Sequence, residues 1–277
     1  TDLYVSGTTL FTLGLGDVVP HSLGARSLIV LESGVGLGFV ALVIGYLPVL
    51  YQAFSRREVN IALLDARAGS PPTAAELLRR HGFEGGEQAL TALLAEWERW
   101  AAELLESHLS YPILCYYRSQ HDNQSWLAGL TAILDTCALL ISVLEGEYSR
   151  QAQLTFVIAR HALIDLCQVF HIQEMKFWKQ QEGKDRLPPA EFDRLCGALG
   201  ETNLRLCGDR SSSERLHTIR GLYEQHAGAM SDYLRMPLPP WVPERKEKDQ
   251  WKMLTKLRSE AEAVSSRTAA YLNQHHE

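Results

Sequence analysis

Cysteine is scarce and unpaired in this chain of 277 residues: Cys115, Cys137, Cys167, Cys196 and Cys207 are odd in number, widely spaced, and form no C-x-x-C pair. That pattern argues against a disulfide framework or a zinc knuckle and fits a reducing compartment. Basic residues are outnumbered, 27 Lys and Arg against 33 Asp and Glu for a net charge of −6. An acidic balance of this kind argues against nucleic acid as the main partner. No nucleophile, metal or phosphate constellation stands out, so an enzyme is the least supported class. The chain opens on Thr1 rather than Met, and no basic segment precedes its apolar run. It therefore does not read as a signal peptide, and the expectation is that the true N-terminus is missing. Charge is also nearly missing from the first fifth. Before Arg56 the ionisable acids and bases, His21 aside, are Asp2, Asp17, Arg26 and Glu32. Two physical regimes share one chain.

What stands in the uncharged part is a long apolar run, LIVLESGVGLGFVALVIGYLPVL, from Leu28 to Leu50. Roughly 23 residues at about 1.5 Å each make a helix of about 34 Å, enough to cross a bilayer core. A buried helix of a soluble protein would usually keep a polar stripe, whereas this one is apolar all round. Arg56 and Arg57 follow it while the other end offers only Arg26, so the positive-inside bias puts everything after about residue 57 in the cytoplasm. Glu32 falls within the span, where a lone charge costs on the order of 3 kcal/mol, and is expected to face protein rather than lipid.

Just before the run lies TTLFTLGLGDVVP, Thr8 to Pro20. A dinucleotide loop is one reading of Gly14-x-Gly16, but Val19 stands where the third glycine belongs, and Pro20 with a membrane-length run replaces the crossover helix. A plain surface turn is another, since two glycines and an acid commonly mark one. The hydroxyls repeated just upstream fit a turn poorly.

Thr12-Leu13-Gly14-Leu15-Gly16-Asp17 resembles the T-x-G-x-G-D selectivity filter of potassium channels. The stretch LYVSGTTLF resembles the pore helix that leads into such a filter, and the apolar run resembles an inner pore-lining helix ending in FSRRE. The likeness covers about residues 3 to 58. It implies that Thr12, Leu13, Gly14, Leu15, Gly16 and Asp17 form the ion-binding loop, that the permeant ion is K+, and that no cofactor is needed. A filter replaces an ion's water shell with rings of backbone carbonyls. Glycines permit the positive φ values that turn successive carbonyls one way. Thr12 would add a hydroxyl at the inner end, and Asp17 would concentrate cations at the outer mouth and brace the loop. Leu15 departs from the usual tyrosine or phenylalanine and lacks a phenol hydrogen bond. It resembles one of the filters of certain two-pore-domain channels and leaves selectivity for K+ over Na+ open.

Gly36, ten residues past Arg26, lies nearest the family's gating glycine, which implies a hinge; close packing through small residues is the alternative for Gly34, Gly36 and Gly38. Pro48 would kink the inner end. Since one filter segment cannot enclose an ion, the resemblance implies a homotetramer in the cell membrane, in contact with lipid, or a dimer if the missing part held a second pore loop. The outer helix that normally precedes a pore helix is not seen.

The remainder reads as helices. The expected fold is all-α: a pore helix, filter loop and one transmembrane helix in residues 1–57, then a cytoplasmic helical bundle in residues 58–277. Thr73 to Glu76 reads as a capping box and Gly82 as a stop, and Leu90, Leu93, Leu94, Trp97, Trp100, Leu104 and Leu105 make a core face. WLAGLTAILDTCALLISVL, Trp126 to Leu144, approaches the length of a span, but Asp135 in its middle and Glu145, Glu147 and Arg150 after it favour a buried helix. Ser211 to Glu214 reads as a cap, and PLPPWVPE around Trp241 as an extended linker before a charged final helix. A metal reading of His161, Asp165, His171 and Glu174 fails, because the histidines lie about 80° apart on a helix and the two acids point to opposite sides. Arg118, His121 and Asp122, within SYPILCYYRSQHDNQSW, suggest a regulatory pocket or, more simply, a hydrogen-bonded connection between helices. The leading expectation is a potassium-channel-like pore subunit with a regulatory or assembly domain. A weakly selective cation channel and a non-conducting membrane-anchored sensor or scaffold are the alternatives.

Overall fold

The computed structural model describes residues 1–143, 148–172, 185–200, 202 and 210–243. It is all-helical, with no strand among the described residues. Glu145, Glu147, Glu174, Cys207 and the final charged segment lie outside them. The chain divides between Arg56 and Arg57 into two compact units.

The first unit contains α1, Asp2–Leu10, the loop that carries TLGLGD, and most of α2, which runs Leu23–Ala68. Ser22 starts α2, its Oγ accepting from the Ala25 amide at 3.2 Å. The helix continues through Pro48. It is the one helix among the described residues that is long and apolar enough to cross a membrane, and almost none of its apolar window is buried. A core helix of a soluble protein of this length would be covered by its neighbours.

In the second unit Ile61, Leu64 and Ala68, from the end of α2, join a core built by α3 (Ala74–His81), α4 (Gly86–Ser110), α5 (Trp126–Ser142), α6 (Tyr148–Val169), α7 (Pro189–Gly200), α8 (Arg210–Gly221) and α9 (Glu224–Leu234). Thr73 caps α3, its hydroxyl accepting from the Glu76 amide, and Gly82 ends it. The Glu76 side chain does not complete the box but takes hydrogen bonds from Arg79 and Arg80. Of the face expected on α4, Leu90 to Leu104 is buried and Leu105 half-buried. α4 packs on α6, and α6 and α8 pack on α5.

α5 is 17 residues long, capped by Ser125 and buried over nearly its whole surface. Its hydroxyls Thr131, Thr136 and Ser142 return to the carbonyls one turn back. Asp135, with no exposure, accepts from Arg186 and from the Tyr223 hydroxyl. An acid with two protein partners belongs to a core, not to a lipid-facing helix. Arg186 also donates to the Pro239 carbonyl, and Arg220 to Asp185 and Glu224, while both guanidinium groups lie over the Trp241 ring at 5.7 and 5.3 Å.

Two expectations change here. The segment around Trp241 is irregular but not a loose linker: Met236, Trp241 and Val242 are buried, because the two arginines hold the indole. Ser211 to Glu214 does not cap α8, which already starts at Arg210; Ser212 lies inside the first turn and accepts from Arg215.

Candidate functional site

The candidate site begins where α1 ends. The Phe11 amide still donates to Gly7 O and the Thr12 amide to Thr9 O, both at 3.0 Å, while the amides of Leu13 and Gly14 both turn back to Thr8 O at 2.8 and 3.2 Å. The last carbonyls of α1 are thus occupied by the loop that follows. The partial negative charge of a helix C-terminus sits at the loop's start, favouring a cation there.

The backbone then alternates in hand. Thr12, Gly14 and Gly16 have φ of 58°, 56° and 75°, while Leu13 and Leu15 keep negative values. In an ordinary strand successive carbonyls point to opposite sides. Reversing the hand at every second residue is the backbone pattern that can bring them to one side. Glycine takes such φ values freely, whereas Thr12 pays on the order of 1 kcal/mol. The side chains of Leu13 and Leu15 are 64% and 63% exposed in the single chain.

Asp17 closes the loop. Its Oδ1 accepts from the Val18 amide at 3.1 Å and its Oδ2 from the Tyr4 hydroxyl at 2.8 Å. A phenol from α1, that of Tyr4, thus holds the end of the loop at Asp17. Tyr4 escaped the sequence reading, since an aromatic on a short helix carries no signal of a partner 13 residues away. Glu32 does face protein: its Oε1 accepts from Ser6 Oγ on α1. One turn further along α2, Gly36 is buried, and a Cβ there would come within 1.9 Å of Leu10 O. A Cβ at Gly34 or Gly38 would meet nothing outside its own helix within 4 Å, so the close approach belongs to Gly36 alone of the three.

In the second unit Arg118, His121 and Asp122 come together with Ser119, Ser125 and residues 236–239 around a cavity of about 230 Å³. Arg118 Nη2 donates to Arg235 O at 3.0 Å, at the end of α9, and the Ser119 hydroxyl is buried without a partner. At the start of the same unit, Arg57 is buried and donates to Leu114 O and Tyr117 O at 2.9 and 2.7 Å and contacts His108 Nε2 at 3.2 Å. Burial first, and then the Arg57 charge, hold His108 neutral, down at about 3. His161 pairs with Asp165 at 3.3 Å, and no group of three or more potential metal ligands occurs among the described residues.

Residues 1–52 match a family described as Ion channel, a match that covers α1, the loop and the apolar part of α2. No curated protein and no solved structure matches the chain. The match lies within the first unit and is to an ion channel family; it does not extend to the second unit.

Proposed function

We propose that the chain is the pore subunit of a channel that conducts K+ through the loop Thr12 to Asp17, four copies surrounding one axis in the cell membrane, with the second unit on the cytoplasmic side. The observation that carries this reading is the alternation of backbone hand at Thr12, Gly14 and Gly16 immediately after α1. Four such lines of carbonyls would replace the water shell of a monovalent cation. The ion channel match at residues 1–52 and the uncovered apolar length of α2 supply the membrane context. Arg56 and Arg57 beyond the span set the orientation. Thr12 and Asp17 stand at the two ends of the loop, the first with a hydroxyl and the second with a braced carboxylate.

The test is the reversal potential of the full-length protein in a bilayer with unequal K+ and Na+ on the two sides. The expected value follows the K+ gradient. A value that follows Na+ equally well would reduce the reading to a weakly selective cation channel, and absence of current would leave the membrane-anchored scaffold.

The cavity at Arg118, His121 and Asp122 extends this proposal to regulation. Its support is the unpartnered Ser119 hydroxyl in its wall. Arg118→Ala should alter gating while leaving the thermal unfolding of the protein in place. Unfolding instead would give Arg118 only the task of holding the end of α9.

A further inference from the structure

Two contacts join α1 to α2, and their spacing matches. Ser6 meets Glu32 through a side-chain hydrogen bond, and Leu10 meets Gly36 through direct backbone approach. Each partner pair advances by four residues, so the two contacts lie one turn apart along both helices, which run the same way where they touch. The first contact is polar and specific, and the second leaves no room for a side chain. Beyond Leu10 the loop begins at once, tied by its own amides to Thr8 and Thr9, residues that stand between the two contact points. Whatever fixes Ser6 and Leu10 therefore fixes the carbonyl line.

We infer that Ser6–Glu32 and Leu10–Gly36 form a two-point seat through which α2 positions the ion-binding loop, Glu32 being a positioning residue for selectivity. This rests on the conducting reading above. Glu32 acts through α1, which it holds by accepting the Ser6 hydroxyl. Gly36 acts as the second point of the seat because any β-carbon would push the end of α1 away. A hinge glycine and a seat glycine differ in what substitution changes. A hinge alters how often the pore opens and leaves the reversal potential alone, whereas a seat alters the loop's geometry and moves it.

The experiment uses the full-length protein reconstituted into bilayers, with K+ flux and K+/Na+ reversal potential measured for Ser6→Ala, Glu32→Ala, the double variant, Glu32→Gln and Gly36→Ala. An ångström of misplacement in a binding constellation commonly costs between tenfold and a hundredfold. Each alanine variant is expected to lower K+ flux about tenfold and to shift the reversal potential toward that of Na+, and the double variant should be no worse than either single one, because both remove the same bond. Glu32→Gln keeps an oxygen that accepts from Ser6 and should retain most of the selectivity. Gly36→Ala should shift the reversal potential as well. Additive losses, an undisturbed Glu32→Ala channel, or a Gln variant as damaged as the Ala variant would each overturn the seat. If the unsubstituted protein carries no current, the conducting reading fails first. The seat is then judged by bridging Ser6→Cys with Glu32→Cys through a short bifunctional thiol reagent, and no bridge within one chain refutes it.

Discussion

The two units of this chain solve opposite problems with the same secondary structure. In residues 1–56 only Gly36 and Leu50 are buried, while Leu28, Val30, Leu31, Leu37, Phe39 and Leu42 lie open along α2. From Arg57 onward, large apolar side chains such as Trp126, Leu127, Ile133 and Trp241 have no exposure, and the polar groups taken in with them are partnered in the main. A helical sequence in water must find its apolar partner within the chain, at about 25 cal/mol for each Å² removed from water. The second unit does so and the first does not. The open apolar length of the first unit fits a membrane surrounding, and the side-chain contacts Tyr4–Asp17 and Ser6–Glu32 tie α1 to the loop and to α2 rather than fill a core.

The largest expected effect tests whether the second unit is self-sufficient. Asp135 answers Arg186 and Tyr223 in its interior. Burial pushes the Asp135 carboxyl up, and the adjacent Arg186 guanidinium opposes that. Asp135→Ala leaves a guanidinium and a phenol without their acceptor, and breaking a buried pair in this way costs about 3–5 kcal/mol. Thermal unfolding of the purified protein should shift downward by many degrees. A variant that melts like the parent would mean that the core does not depend on its polar network, and the contrast between the units would weaken.

Acid should act on the second unit next. His108 is held at about 3 in the fold against an ordinary 6.5, so the unfolded chain takes up its proton first. Stability from this group is complete above about pH 6.5 and is lost as the pH falls toward 3, by roughly 5 kcal/mol in all. Burial alone would raise Glu76, but hydrogen bonds from Arg79 and Arg80 outweigh it and hold the carboxyl at about 2, against an ordinary 4.5. Its contribution, about 2 kcal/mol after screening at the exposed Arg79, is present above pH 4.5 and is lost as the pH falls toward 2. Unfolding midpoints measured between pH 7 and 4 should fall continuously. His108→Gln should flatten the upper part of that curve, and an unchanged slope would remove His108 as its cause.

How much of this could be read from the residues follows the range of the forces involved. Apolar length gave α2, and local capping gave α3, because both signals lie within a few neighbouring positions. The loop was legible for the same reason: positive φ at Gly14 and Gly16 is what glycine permits, and the motif is contiguous. Contacts between distant residues were not legible. Nothing near Trp241 announces that Arg186 and Arg220 will stack on it, so a proline-bearing stretch read as a linker when it is part of the core. Glu32 was recognisable as an acid in need of a partner, yet Ser6 as that partner needed the approach of α1 to α2, which depends on Gly36. Arg118, His121 and Asp122 could be singled out because an unusual polar cluster between aromatics is itself a local feature, and the three line one cavity.

The smallest expected effect sharpens the first unit's side of the comparison. Tyr4 donates to Asp17 at 2.8 Å across an exposed surface, so Tyr4→Phe removes one hydroxyl, empties no cavity and should leave thermal unfolding unchanged. Asp17 keeps its bond to the Val18 amide and with it part of its orientation. What the phenol adds is a tie between the outer end of the loop and the first turn of α1, opposite the end that Thr8 and Thr9 hold. Losing one of two ties should loosen the outer carbonyls, with a loss of K+ over Na+ preference well short of the ~hundredfold that a full misplacement brings. Reversal potentials of Tyr4→Phe and Asp17→Asn measured side by side decide the point. If the hydrogen bond is what matters, Tyr4→Phe shifts and Asp17→Asn, which keeps an oxygen able to accept from Tyr4, shifts little, whereas a shift in Asp17→Asn alone assigns the effect to charge at the mouth and leaves Tyr4 a bystander.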